Sequence, residues 1–542
     1  MSFRSFMIAG VLSVVSATAS ALDTPNMIDE TSSAGITQSY EGGWEFYVGG
    51  GVAAFDCNGD KYPELYFAGG INKAGLFINQ GSRGGALSFV PSRKDDLALD
   101  RVTGAYPLDV DGDGFIDLAV LRVGENILFR GKGDCRFESA NIPWNFAGGD
   151  AWSTAFSATW ETDNHWPTLA IGNYVDRAAP GSPWGTCHDN SLHKPDSSDG
   201  RFSKSVPLTP GYCALSMLFS DWNRSGTQSL RISNDRQYYK GGQEQLWRFA
   251  ATGKPVLYSK SEGWKELKIW GMGIASHDLN GNGRPEYYLT SMGDNKLRMH
   301  TGDLGRPTYK DMSRKFGITA HRPFVGDNTL PSTGWHAQFE DVNNDGFTDL
   351  FVAKGNLQAM PDFAMEDPNN LLIGSPINAF KEVAHIAGIA SNKRARGGML
   401  ADLNLDGLLD VVIVNREENI QIWRNVGLGT AEAPIPMGNW VALLIKQTEV
   451  NKQAVGAWIE VRAGDHVQRK EITVGGGHAS GHSLWHHFGL GVAERVTARV
   501  QWPDGQWGSW VRLFANQFAQ ITRGDSVAAV WLPSRRATVL PK

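Results

Sequence analysis

Five stretches of this 542-residue chain place oxygen-bearing side chains at the first, third, fifth and ninth positions of a short loop, and each loop runs straight into a β-prone segment. They are Asp56, Asn58, Asp60 and Glu64; Asp109, Asp111, Asp113 and Asp117; Asp278, Asn280, Asn282 and Glu286; Asp341, Asn343, Asp345 and Asp349; and Asp402, Asn404, Asp406 and Asp410. Oxygens at these spacings in a tight loop can converge on one point. The carbonyl at position seven (Phe115, Phe347 or Leu408) can add another ligand. Calcium takes roughly six to eight hard oxygen ligands at about 2.3–2.6 Å, so the loops are expected to bind Ca2+, one ion each. Magnesium fits less well, because its tight octahedron accepts few protein ligands. The spacing also differs from a helix-flanked calcium loop, whose closing glutamate sits at about position 12. A plain Asp/Asn/Gly turn would account for a single copy. Five copies in one register argue for metal.

Two weaker copies fill the gap between the second and third of these loops. Asp221, Asn223 and Ser225 keep oxygen ligands, but Ser229 stands where the ninth-position acid is needed. The stretch from Trp160 keeps Thr162 and Asn164 in ligand positions, and retains the trailing strand Leu169-Ala-Ile-Gly. Metal is not expected in that copy. Taking positions 56, 109, 160, 221, 278, 341 and 402 as markers, the chain repeats every 51 to 63 residues. A period of that length built from strands and turns predicts an all-β fold, a seven-bladed β-propeller over residues 40–433. The 63 glycines and 19 tryptophans suit a turn-rich β protein. The longest insertion is expected at residues 178–210.

The amino terminus carries Arg4, an apolar run at residues 6–15 and the small residues Ala19-Ser20-Ala21. That order reads as a secretory signal peptide over residues 1–21, giving an exported protein, periplasmic or extracellular. No later segment is apolar for the roughly 18 residues a membrane span needs. Export makes disulfides the natural state of Cys57, Cys135, Cys187 and Cys213. Of the three possible pairings, Cys57–Cys135 with Cys187–Cys213 is preferred, the second stapling the long insertion. A formal charge of −6 gives no electrostatic footprint for nucleic acid.

The repeated loops resemble FG-GAP/VCBS repeats of integrin-α-type propellers over residues 45–430. Downstream, Val455-Gly-Ala-Trp-Ile-Glu-Val, Gly475-Gly-Gly-His478-Ala-Ser480, His487-Phe-Gly-Leu-Gly491 and Val500-Gln-Trp-Pro-Asp-Gly505 look like an ASPIC/UnbV domain. The pairing in this order resembles the cartilage-acidic-protein-like family of exported proteins. The resemblance implies calcium binding and a binding or adhesive role, without a known reaction. Read on its own residues, the tail is also β: strand-like runs occur at 440–445, 457–462, 469–474, 496–502 and 510–513, with a hairpin signal at Asp504-Gly505. A small C-terminal β-sandwich-like domain is expected at 438–524, after a linker marked by Pro434 and Pro436, with a tail at 525–542.

His478, His482, His486 and His487 lie within ten residues, and imidazoles suit zinc or copper. The glycine-rich setting favours a structural role. Tryptophans 152, 160, 166, 184, 222, 247, 264, 270 and 335 crowd the middle blades, where they can fill gaps between sheets or stack on a ligand. Trp270-Gly-Met-Gly-Ile-Ala has the glycines of an inner strand approached closely by other backbone. No nucleophile elbow, His-Glu-x-x-His or phosphate-binding glycine loop occurs. The expectation is a non-enzymatic, calcium-stabilised module that binds a protein or carbohydrate. The alternatives are an exported enzyme acting on a polysaccharide, or an accessory protein for an exported metal or redox enzyme.

Overall fold

The computed structural model describes residues 23–161, 164–196, 200–235, 242–249, 254–377 and 379–533. The expected signal peptide, Thr162 and the last part of the tail lie outside the described residues. The apolar runs that follow the acidic loops, such as 118–121 and 411–414, are buried throughout. They read as continuous rather than alternating because both faces of each sheet pack against a neighbouring sheet.

Among the described residues, seven antiparallel four-strand units follow one another. Their innermost strands are Val52–Phe55, Val102–Leu108, Ser153–Thr159, Ala214–Ser220, Gly271–His277, Gly334–Glu340 and Ala395–Ala401. Each pairs with the next strand in sequence: Glu64–Phe67, Asp117–Arg122, Thr168–Asn173, Ser229–Asn234, Glu286–Ser291, Asp349–Lys354 and Asp410–Asn415. Neighbouring innermost strands contact one another in chain order, and the last returns to the first. The units are therefore the blades of a closed propeller, and every acidic loop, joining an innermost strand to the second strand, emerges on one face of the ring.

The seventh blade takes its outermost strand from the other end of the chain. Met27–Asp29 pairs antiparallel with Gln421–Asn425, so the propeller starts before residue 40, the boundary that the motif spacing indicates. Glu30, the residue after this strand, forms a buried ion pair with Arg424 at 2.8 Å and accepts the Leu87 backbone N–H at 2.7 Å. One carboxylate thus ties the seventh blade to the first. The ring is also stapled by two disulfides, Cys57–Cys135 between the first and second blades and Cys187–Cys213 between the third and fourth.

The C-terminal domain is a pair of four-stranded sheets, one ordered His486–Gly491, Asn439–Lys446, Gln517–Thr522, Ala529–Trp531 and the other His466–Glu471, Trp458–Ala463, Arg495–Gln501, Val511–Phe514. Val441, Leu443, Ile459, Val461, Phe488 and Val496 are buried in one cluster between them. Ala529–Trp531 pairs with Gln517–Thr522, which carries the domain past the expected end at residue 524.

Between its strands this domain sends residues 474–483 into the centre of the ring. Gly475 pairs with Ser157 and with Leu218, bridging the innermost strands of the third and fourth blades. Gly477 pairs with Ile274 of the fifth, and Ser480 with Ala105 of the second. Gly481–Ser483 then runs parallel to Ala53–Phe55 of the first. The hub of the propeller is filled by backbone from another domain. Glycine is required here: Gly477 has φ +55°, and a Cβ on it would lie 2.4 Å from the ring of His336.

Candidate metal loops and the cleft beneath them

Inside the loops the backbone register repeats. The position-one carboxylate accepts the N–H of the position-six glycine in the second, fifth, sixth and seventh blades: Gly114 at 3.0 Å, Gly283 at 2.7 Å, Gly346 at 2.8 Å and Gly407 at 2.8 Å. The position-nine carboxylate accepts the position-two N–H in all five loops, with Cys57 at 3.0 Å, Val110 at 2.7 Å, Leu279 at 2.9 Å, Val342 at 2.8 Å and Leu403 at 2.9 Å. These bonds turn the remaining oxygens inward. The first loop departs at position six, where Lys61 takes φ +69° in place of glycine and pairs with Asp56 at 3.0 Å.

The oxygens so gathered could accept a cation, and in the second loop the Arg130 guanidinium pairs with Asp111 at 2.7 Å and Asp113 at 3.0 Å. Ligand atoms of Asp109, Asp111 and Asp113 lie within 4.8 Å of one another. Asp109 Oδ1, Asp278 Oδ1 and Asn404 Oδ1 are buried acceptors without a hydrogen-bond partner. Burial, aided by neighbouring carboxylates, pushes Asp109 up to about 6 and Glu64 and Glu286 up to about 8. Asp117, Asp341, Asp349, Asp402 and Asp410 are held well above the ordinary range, again mainly by burial. Charge this costly to bury would be stabilised by a bound cation. An all-oxygen donor set of carboxylates, amides and a carbonyl fits calcium.

The two degenerate loops have built-in substitutes. At the third blade Glu161 pairs with Lys194 at 3.0 Å and accepts the Thr168 hydroxyl at 2.6 Å, so an ammonium neutralises that corner. At the fourth, Glu471 of the C-terminal domain accepts the Asp221 N–H at 2.8 Å and the Ser220 hydroxyl at 2.6 Å. Arg224, at position four of that loop, lies over the Trp458 ring at 4.0 Å. Glu471 sits far downstream in a different domain, so no local motif marks it.

The other loops form the seat of the C-terminal domain. Gly491 N–H donates to the Asn344 carbonyl at 2.8 Å, and His487 Nε2 meets Asn344 Oδ1 at 2.6 Å. His466 Nε2 reaches the Gly346 carbonyl at 2.7 Å, and Asp109 N–H donates to Gln453 Oε1 at 2.7 Å. Trp440 lies flat against Gly407, where an added Cβ would meet its ring at 1.8 Å. Above the loops of the first two blades the fit is open. A cavity of about 320 Å3 remains there, reached by Lys61, Lys446 and Lys452 and walled in part by Phe115, Leu484 and Trp485.

The four clustered histidines are dispersed. His478 is fully buried in the hub: its Nε2 accepts the Gly49 N–H at 3.1 Å and its Nδ1 meets the Met272 carbonyl at 3.1 Å. Since a carbonyl only accepts, the proton sits on Nδ1 and the imidazole is neutral. His487 faces the sixth loop, while His482 and His486 line the cleft. Among the described residues no three of the four converge as metal ligands. Of the tryptophans, 152, 166, 222, 247, 264 and 335 are buried in the propeller core, whereas Trp184 is 63% exposed.

Comparisons with known proteins agree with this division. Residues 56–120 match the FG-GAP-like repeat, and residues 447–528 match ASPIC and UnbV. Human cartilage acidic protein 1 is 25% identical over 279 residues, which are 49% of this chain and 38% of that protein. Among solved structures, BBS1N in complex with ARL6DN aligns with 74% of this chain and 96% of its own at 10% identity and a TM-score of 0.39. AofleA from Arthrobotrys oligospora aligns with 63% and 86% at 9% identity and 0.35. The strand order given above, rather than these likenesses, carries the propeller assignment. With a match to the FG-GAP-like repeat in its propeller, a match to ASPIC and UnbV behind it and cartilage acidic protein 1 as a partial relative, the chain is similar in arrangement to the cartilage-acidic-protein-like family.

Proposed function

We propose that this chain is an exported calcium-binding module that recognises a protein or carbohydrate partner and catalyses no reaction. The observation that carries the calcium reading is the repeated loop geometry with its buried, unpartnered acceptors Asp109 Oδ1, Asp278 Oδ1 and Asn404 Oδ1. Each loop's own side chains would hold the ion, and the ion would neutralise carboxylates that burial otherwise disfavours. Two disulfides support an oxidising compartment, and no helix among the described residues is long and apolar enough to cross a membrane.

The binding reading follows from what the fold leaves open. The repeated acids are engaged in the loops, the hub is filled, and the loop face is covered by the C-terminal domain. The opposite face carries Trp44, Tyr47, Trp270 and the exposed Trp184, with Arg416 at 4.7 Å over the Tyr47 ring. Aromatic side chains flanked by arginines suit partner recognition. Elemental analysis of protein dialysed against calcium tests the metal reading; one equivalent per complete loop is expected, and metal-free protein would overturn it. Capture of partners from the native compartment, with Trp184→Asp as the comparison, tests the binding face.

A further inference from the structure

We infer that the cleft between the first two acidic loops and the C-terminal domain binds a small organic monoanion with an apolar body. This rests in part on the calcium reading, through the charge state of the loops. The cavity of about 320 Å3 lies within the size range of roughly 300–1,000 Å3 typical of small-molecule sites. Phe115, Val455, Leu484 and Trp485 give it apolar walls, with Phe115 49% exposed although it is large and apolar. Such a surface inside a concave, partly enclosed space suits an aromatic or aliphatic body.

The charges at its rim choose the sign of the ligand. Lys61, Lys446 and Lys452 all reach the cavity. Lys446 is half-buried and, among the described residues, makes no ion pair. Two ammonium groups, of Lys446 and Lys452, at one apolar pocket favour an anion there. The acids that line the same space are already committed. Asp56 and Asp109 are first-position residues of the metal loops, and Asp134 pairs with Lys94 at 3.0 Å. Lys61 pairs with Asp56 at 3.0 Å, which leaves Lys446 and Lys452 to meet the ligand's charge. His482 and His486 on the far wall can donate to or accept from the ligand's polar end.

The test uses the full chain in calcium, with 2-naphthoate as probe and neutral 2-naphthylmethanol as its uncharged counterpart, followed by calorimetry. Saturable one-to-one binding of naphthoate is expected, with the alcohol at least about tenfold weaker, as charge-assisted contacts require. Lys446→Met with Lys452→Met should weaken naphthoate by about tenfold or more, and Phe115→Ala should weaken both probes, because one removes charge and the other apolar wall. Lys310→Met, on a distant strand, should change nothing. Equal binding of acid and alcohol, unaltered binding by the lysine variants with unchanged melting, or no saturable binding would each overturn the proposal. Calcium content measured on the same samples separates the two readings: naphthoate binding without calcium leaves the cleft and removes the metal, and calcium without naphthoate binding does the reverse.

Discussion

The backbone N–H of His478 donates to Nδ1 of His336 at 3.1 Å, joining the loop at the centre of the ring to the innermost strand of the sixth blade. Both imidazoles are buried, and His478 makes two further bonds, to Gly49 and Met272. The C-terminal domain is thereby part of the propeller's core and not an appendage to it.

Replacement of His478 by Ala should therefore act on both domains at once. It leaves the Gly49 N–H and the Met272 carbonyl without partners and opens a cavity, at a cost of about 3 kcal/mol. Gly477→Val should cost a similar amount, about 2–4 kcal/mol, through its positive φ and the His336 ring. Urea unfolding should remain a single transition with a lowered midpoint. A C-terminal domain that melts separately in the wild type would contradict the interlock.

Acid should loosen the same interlock. Burial lowers His478 to about 4, and His336 and His487 to about 3, from an ordinary value of 6.5. The unfolded chain then binds more protons than the folded one between about 6.5 and 4, so stability rises with pH across that window and falls as pH drops through it. His478 alone can contribute about 3 kcal/mol of this dependence. The slope of unfolding free energy against pH, compared between wild type and His478→Asn, measures it. An unchanged slope in the variant would assign the acid sensitivity to other groups.

Much of this was readable in advance, for physical reasons that differ by feature. Asp117, Asp349 and Asp410 open second strands because a ninth-position acid must cap the position-two N–H before pairing begins, and that requirement leaves a local pattern. The cysteine pairing was similarly open to reasoning from export and chain order. The closure by Met27–Asp29 leaves no such trace, because three residues that complete a distant sheet need only β-compatible side chains. The hub insertion was half visible. Gly475-Gly-Gly-His478 reads as a tight turn, but nothing local says that the turn is tightened by the strands of another domain. Glu471 was invisible for the same reason.

Glu471→Gln separates a structural carboxylate from a metal ligand. Its two oxygens accept from Asp221 N–H and the Ser220 hydroxyl, and burial raises it to about 7. An amide in its place turns a donor toward a donor, which should cost about 1–3 kcal/mol. Calcium stoichiometry should stay unchanged, since Ser229 leaves the fourth loop without its ninth-position acid. Loss of one calcium equivalent in this variant would instead make the fourth loop a metal site completed by the C-terminal domain.

Removal of calcium should release the C-terminal domain, and more readily at higher pH. Glu64 and Glu286 have folded values of about 8 without metal, against an ordinary 4.5. Stability from a group raised in this way is fully present below the ordinary value and lost as pH rises through the folded one. In chelator, melting temperature should therefore fall between pH 6.5 and 8.5, above the window of the buried histidines. Added calcium should reverse the trend, since on the proposed reading it would bind the deprotonated loops. The sixth loop carries the consequence to the other domain, since Asn344 and Gly346 hold Gly491, His487 and His466. Once that loop relaxes, hydrogen exchange at residues 474–483 should rise together with cleavage in the linker around residues 430–438. Asp349→Asn should produce the same two changes in saturating calcium by disabling that loop alone. Protection at 474–483 that is indifferent to chelator at pH 8.5 would show that the loops and the hub are not coupled.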